Sequence, residues 1–332
     1  MATREQLLTR LTKLPAVQFD EVVFRSGVPL AYMPGPGTPQ TTRAIDLIVH
    51  MESRGALDAL ERLLSSQAAD RVESSSVPRR GASTTDDPTA IILTALGLEA
   101  AAVLAHLQPV RQDELATGTL VEVGRFAAPD REALVGVVEA GQGNLAAASI
   151  AQEVISRYRP AVVLMVGVAG GIKDVRLGDV VAATKVYGYE SGKADQEFLP
   201  RPDVGLSSFR LVQRARAEAR RSEWLKPLGF TGDTPDSPRV FVAPIAAGAA
   251  VVSSTRSPVF QFLRQAYGDA VAVEMEGRGL LETAYHNKSD ALVVRGISDL
   301  IDEKAAADAA GSQALAARNA AAFAFQLLAH TA

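Results

Sequence analysis

Six consecutive residues, Ala161 to Val166 (AVVLMV), carry no polar side chain. An amphipathic strand alternates, with one face toward water. A strand that is apolar on both faces has to be covered on both. The run therefore predicts a central strand of an α/β sheet with helices packed above and below. Gly167-Val168-Ala169-Gly170-Gly171 follows at once. Glycine permits tight turning and lets a ligand approach the backbone closely, so this segment is expected to close the strand.

Strand and helix patterns alternate on both sides of that run, from about residue 89 to residue 332. Strands are expected at Ala90 to Leu93, Leu120 to Val123, Leu134 to Val138, Val180 to Val186, Arg239 to Ile245, Ala270 to Val273 and Ala291 to Arg295. Helices are expected at Leu98 to Leu107, after the glycine-rich turn at Gly141 up to Tyr158, Ser207 to Trp224, Pro258 to Tyr267, Gly277 to His286 and Gln313 to Leu328. This order predicts one large α/β domain. Asp302 to Asp308 reads as a mobile rim over a site.

Residues 1 to 68 read differently. Leu7, Leu8, Leu11 and Leu14 share one helical face, and Phe19, Val22, Val23 and Phe24 mark a second short helix. Pro34-Gly35-Pro36-Gly37-Thr38-Pro39 reads as a loop. Thr41 or Thr42 is expected to cap a third helix with Ile45, Ile48 and Val49 inward. Gly55 interrupts it, and Leu57, Leu60, Leu63 and Leu64 form a last helix. The predicted organisation is a small all-α bundle (1–68), a polar flexible linker (69–88) and the α/β domain (89–332).

Composition narrows the function. There are no cysteines, which excludes disulfides, thiolate nucleophiles and thiolate-bound metals. The four histidines form no cluster with carboxylates, so no metal is expected. A formal net charge of −4 argues against a broad nucleic-acid surface. No apolar stretch has membrane-spanning length and no secretion signal is visible, so a cytoplasmic protein is expected. Gly141-Gln142-Gly143-Asn144 lacks the full dinucleotide fingerprint and no Walker A pattern occurs, so no cofactor is expected.

Three acids stand at strand exits, where α/β proteins bind ligands. They are Glu99, Glu276 and Asp299. The segments around them resemble the purine nucleoside phosphorylase and nucleosidase superfamily. The matching stretches are IILTALGLE (Ile91 to Glu99), Met165 to Gly171 with Gly178-Asp179-Val180-Val181, AVEMEG (Ala272 to Gly277) and VVRGISD (Val293 to Asp299). The likeness is greatest to its hydrolytic branch, the methylthioadenosine/S-adenosylhomocysteine and AMP nucleosidases.

The resemblance implies a three-layer α/β fold with a central mixed sheet, and roles residue by residue. Glu99 activates the attacking water. Met275 and Glu276 hold the ribose, and Glu276 accepts its hydroxyl hydrogen bonds. Asp299 protonates or hydrogen-bonds purine N7, positioned by Ser298. Ala169 and Gly170 line the pocket, while Val251 and Val252 of IAAGAAVV contact the base. Members often carry an aromatic residue where this chain has Val251, so stacking on the base is weaker here. The chemistry is coherent: a departing purine is a poor leaving group until protonated, and burial favours the neutral form of a carboxyl group. The loop TALGLEAAA contains no Arg or Lys to hold phosphate, which favours water as the nucleophile.

The excursion from Tyr187 to Lys193, followed by Phe198 to Pro202, carries Lys193 and Arg201 as candidate grips on 5′-phosphates, and it resembles nucleosidase modules of antiphage systems. Arg295 reads either as a further phosphate contact or as a buried ion-pair partner. FDEVVF, the PGPGTP loop and Glu52-Ser53-Arg54-Gly55 resemble an effector-associated, death-like adaptor domain. That likeness implies homotypic docking to a protein partner, and the superfamily likeness implies a homo-oligomer. The expected function is hydrolysis of the base–ribose bond of purine nucleosides or nucleotides, with ATP and AMP among the candidates, in a conflict or antiphage setting. The alternatives are a housekeeping methylthioadenosine/S-adenosylhomocysteine nucleosidase and a non-catalytic nucleoside-binding scaffold.

Overall fold

The computed structural model describes residues 3–14, 19, 22–23, 26, 28, 38–61, 63–64, 87–128, 131–195, 198–232, 234–301 and 311–331. The chain divides into two compact units, Met1–Ala82 and Ser83–Ala332. The expected linker (apart from residues 87 and 88), most of the PGPGTP loop and the expected rim at Asp302 to Asp308 lie outside the described residues.

In the first unit, α1 (Arg4–Thr12) starts at a capping box in which Thr3 and Gln6 satisfy each other's backbone N–H. The next described helix, α2 (Gln40–Ser53), begins one residue after Pro39 and has no side-chain cap, so neither Thr41 nor Thr42 caps it. Its inward face is Ala44, Leu47, Ile48 and Met51. Ile45 and Val49 are exposed, contrary to the expectation. The stripe turned by one position because 44, 47, 48 and 51 follow the i, i+3, i+4, i+7 spacing of a helical face. These residues form one core with Leu7, Leu11, Phe19, Val22, Val23, Leu60 and Leu64.

The second unit has three layers. In chain order its elements are β1 (Ala90–Thr94), α3 (Gly97–Leu104), β2 (Gln108–Glu114), β3 (Leu120–Ala128), β4 (Arg131–Glu139), α4 (Asn144–Tyr158), β5 (Val162–Gly171) and β6 (Val180–Gly188). There follow β7 (Gly192–Ala194), β8 (Phe198–Pro200), β9 (Asp203–Leu206), α5 (Phe209–Glu218), a 3-10 turn (Glu223–Leu228) and β10 (Val240–Ala247). The last are α6 (Pro258–Ala266), β11 (Ala272–Glu274), α7 (Gly277–Asn287), β12 (Ala291–Leu300) and α8 (Ser312–Leu328). The sheet order is β11-β10-β6-β12-β5-β1-β4-β3-β2, with β9 on β6. It is mixed: β1, β4, β5 and β12 run parallel, whereas β6 and β12 are antiparallel. A second pairing of β11 with β5 closes one end of the sheet on itself.

As the apolar run requires, β5 lies centrally, between β1 and β12. On one face α4 and α7 cover Ile91, Val163, Met165 and Val293. On the other, α3, α5 and α8 cover Ile92, Leu164, Val166 and Val294. Two strand ends differ from the expectation in a way that builds the site. Strand β5 does not stop at Val166 but runs on through the glycines to Gly171. Strand β12 likewise runs past Arg295 to Leu300, with a register shift between Ile297 and Asp299. The helix expected from Ser207 to Trp224 ends at Glu218 and resumes as the 3-10 turn, where Pro227 lacks a backbone donor. Strand β2 was not expected, because QPVRQDE is largely exposed and has no apolar periodicity.

Candidate active site

Glu99 owes its position to the start of α3. It is the third residue of that helix, and its carboxylate reaches back to accept from the backbone N–H of Ala95 (2.8 Å) and Leu96 (3.1 Å). Its other oxygen accepts from Val168 N–H at 2.8 Å, across on β5. A helix N-terminus leaves N–H groups unsatisfied and favours negative charge, so the acid is fixed by the helix it starts. Burial pushes the Glu99 carboxyl above the ordinary glutamate range, opposed by the Arg295 guanidinium and these three N–H groups.

Two more helix starts hold Glu276. It precedes α7, and its Oε1 accepts at 3.0 Å from Gly143 N–H, at the entrance to α4. Gly143 has φ +99°, a conformation that side chains resist, and the turn aims its N–H at the carboxylate. The Oε2 of Glu276 accepts from Arg295 Nη2 at 2.9 Å.

Asp299 is placed by the register shift in β12. Such an irregularity re-aims side chains at a strand end, and here both Ser298 and Asp299 line the same cavity. Ser298 Oγ lies 2.8 Å from Asp299 Oδ2. Asp299 Oδ1 lies beside Gly170, where an added Cβ would sit 3.4 Å away.

These acids share one cavity of about 440 Å³. Glu99, Glu276, Asp299 and Ser298 line it together with Ala169, Gly170, Val251, Val252 and Met275, all anticipated from the sequence, and with Leu96, Leu98, Gln142, Glu274 and Gln313, which were not. Lys193 and Arg201 are not among the lining residues. Lys193 Nζ pairs with Asp195 at 2.6 Å, and Arg201 is exposed, with its backbone N–H on Ser191 O at 2.9 Å.

Behind the cavity sits Arg295, fully buried. It is an ion-pair partner of carboxylates. Its Nη2 bonds both Glu274 and Glu276, and its Nη1 is 4.0 Å from Glu99. Three acids surround this one guanidinium and hold the arginine charged. Glu274 was overlooked because AVEMEG presents two acids and only the second was assigned a role. Its carboxylate caps α7 through the N–H groups of Glu276 and Gly277. Burial, reinforced by Glu276 and opposed by Arg295, pushes the Glu274 carboxyl up. The glycine run in β5 now has its reason. A Cβ on Gly167 would run into Arg295 Nη1 and Glu99 Oε1, so the strand is bare where the ion cluster lies on it.

Among the described residues, no group of three or more His, Cys, Asp or Glu could hold a metal ion, and no helix is long and apolar enough to cross a membrane.

Comparisons with known proteins agree with this geometry. Residues 89–331 match the Phosphorylase superfamily. The "ATP nucleosidase Cap17" of Escherichia coli (strain KTE188) is 29% identical over 240 residues, covering 65% of this chain and 46% of that protein. A "Death domain-containing ATP nucleosidase" of Amphimedon queenslandica is 25% identical over 236 residues, covering 64% of this chain and 43% of that one. The matches thus span less than half the length of these curated relatives. Among solved structures, the 5′-methylthioadenosine/S-adenosylhomocysteine nucleosidase of Colwellia psychrerythraea in complex with adenine superposes with a TM-score of 0.61 at 21% identity, covering 74% of this chain and 96% of that one. With the matched region spanning the whole α/β unit and its cavity, the chain belongs to the phosphorylase superfamily.

Proposed function

We propose that the chain hydrolyses the N-glycosidic bond of purine nucleosides or nucleotides, releasing the free base. The observation that carries this reading is the convergence of Glu99, Glu276 and Asp299 on one cavity. Glu276, already held by Gly143 and Arg295, keeps lone pairs for the ribose hydroxyls. Asp299 donates a proton to purine N7 as the C1′–N9 bond breaks. Glu99 takes a proton from water as its oxygen bonds to C1′. The products are the purine and a ribose with a hydroxyl at C1′. Hydrolysis is favoured over phosphorolysis because, among the described residues, no Lys or Arg lines the cavity and Arg295 pairs with carboxylates. An attacking phosphate dianion would be repelled by Glu99, which is ionised in this mechanism.

Adenine nucleotides are favoured as substrates by the names of the two partial relatives above, both ATP nucleosidases. One of those names also includes a death domain, which supports reading the N-terminal unit as a homotypic adaptor that links the enzyme to a signalling partner. A second reading has its own observation. Lys193 is paired with Asp195, and the described residues of the cavity lining carry no cation for a 5′-phosphate, which favours a neutral 5′ group such as the thioether of methylthioadenosine.

The deciding experiment compares release of base from ATP, AMP and methylthioadenosine by the full chain, with K193A and R201A alongside. A nucleotide enzyme gripping phosphate through these residues loses ATP and AMP cleavage selectively in both variants. Equal rates in the variants remove Lys193 and Arg201 from the site. Release of no base from any of the three defeats the enzymatic reading.

A pH profile tests the base. Glu99 works ionised, and burial raises its carboxyl from 4.5. Activity therefore falls as pH drops through that raised value, and the acid limb of kcat/KM lies above pH 4.5. An acid limb at or below 4.5 contradicts the assignment.

A further inference from the structure

The segment from Gly248 to Val252 forms one wall of the cavity, through Ala250, Val251 and Val252, yet it belongs to no helix or strand. Val251 itself is 63% exposed, so packing of its own side chain does little to hold the wall. Other contacts hold it, among them those from Tyr189 and Glu190, immediately after β6.

Tyr189 is 4% exposed and belongs to a small satellite core with Val252, Leu263, Tyr267 and Val273. Its ring lies so close to Gly248 that a Cβ at that position would run into it. Its phenol oxygen is 3.5 Å from Ala250 O. Burial pushes the phenol up to about 12, so it is protonated and can donate near neutral pH. The neighbouring Glu190 accepts from Ala249 N–H at 2.8 Å. Gly248 N–H in turn donates to Glu274 O at 3.2 Å, tying the start of the wall to the strand that leads into the ion cluster.

We infer that Tyr189 and Glu190 are positioning residues for the substrate base. They act through the 248–252 wall and touch no reacting atom. A loop that lacks ladder hydrogen bonds costs conformational entropy to order when a ligand binds. Tethering it in the free protein removes part of that cost. The effect should therefore appear in affinity for the base and leave the chemical step nearly alone. With Val251 in place of an aromatic ring on this wall, a fixed wall helps to define that face of the base. This inference rests on the purine reading of the site, and its test separates the two.

The experiment uses the full chain and two readouts. Amide hydrogen exchange of peptides covering 248–252 is measured without ligand, and KM and kcat are measured with the purine substrate that the panel identifies. Glu190→Ala is the main variant, because Glu190 is exposed and its loss leaves the core intact. Glu190→Ala is expected to speed exchange in these peptides and raise KM about tenfold, with kcat changed less than threefold. Glu190→Gln keeps an oxygen that accepts from Ala249 N–H and should recover most of the lost affinity. Tyr189→Phe, which keeps the ring under Gly248, should change KM less than Glu190→Ala does. Unchanged exchange and unchanged KM in Glu190→Ala overturn the inference, as does a fall in kcat with KM unaltered. Faster exchange in that variant, with no purine compound cleaved by the unaltered chain, overturns the reading of the site and with it the role of these residues in recognising a base.

Discussion

Replacing Glu99 with Gln is expected to lower kcat by roughly a thousandfold, the middle of the range for loss of a general base. The substitution is isosteric and leaves Asp299 and Glu276, the proposed purine and ribose contacts, in place, so KM should change by only a few fold. Some stability is also lost. The carboxylate accepts from Ala95, Leu96 and Val168, and a carboxamide presents an N–H to at least one of these donors. Asp299→Asn should produce a similarly large fall, because an amide cannot supply the proton that makes the purine a good leaving group. Single-turnover kinetics with saturating substrate check both. Full cleavage by either variant contradicts its assigned role. In the proposed mechanism the two acids serve one transition state, so the double variant is expected to cost less than the product of the single effects.

Arg295→Met should be the most damaging substitution for folding. The side chain is fully buried among Glu99, Glu274 and Glu276. Removing one partner of a buried ion cluster strands the others, at a cost of about 3–5 kcal/mol. For a domain of this size that corresponds to a fall in Tm of roughly 10 °C. Calorimetry or circular dichroism measures it. Adding Glu274→Gln to Arg295→Met should recover part of the loss, since one fewer charge is left unpaired. An Arg295→Met protein as stable as the parent would mean that the guanidinium does not stabilise the three carboxyl groups as the distances indicate.

How much of this was legible beforehand depends on where each signal resides. The central strand was readable because AVVLMV is apolar on both faces, and that is a local property. The three acids were readable because each stands at or shortly after the exit of a strand, in a short distinctive segment. What escaped the sequence was non-local. The extension of β5 through Gly167 to Gly171 depends on pairing with β12 and β11, which no local pattern reveals. The register shift that presents Ser298 and Asp299 together is likewise a property of two strands. Arg295 had two readings until its neighbours were known, and Glu274 was hidden behind Glu276. Lys193 and Arg201 show the converse case: residue type suggested a phosphate grip, while the structure places neither on the cavity. One signal was available and unused. Glu at the third position of a helix commonly bonds back to the helix entrance, and TALGLE carried that information for Glu99.

The most direct test of the proposed chemistry is to run the reaction in water enriched in oxygen-18, with no phosphate added, and to analyse both products by mass spectrometry. Attack by water activated at Glu99 predicts free purine together with a ribose product carrying the heavy oxygen at C1. Base release that requires phosphate and yields a sugar 1-phosphate, or no base release from any purine ribosyl compound, would contradict it.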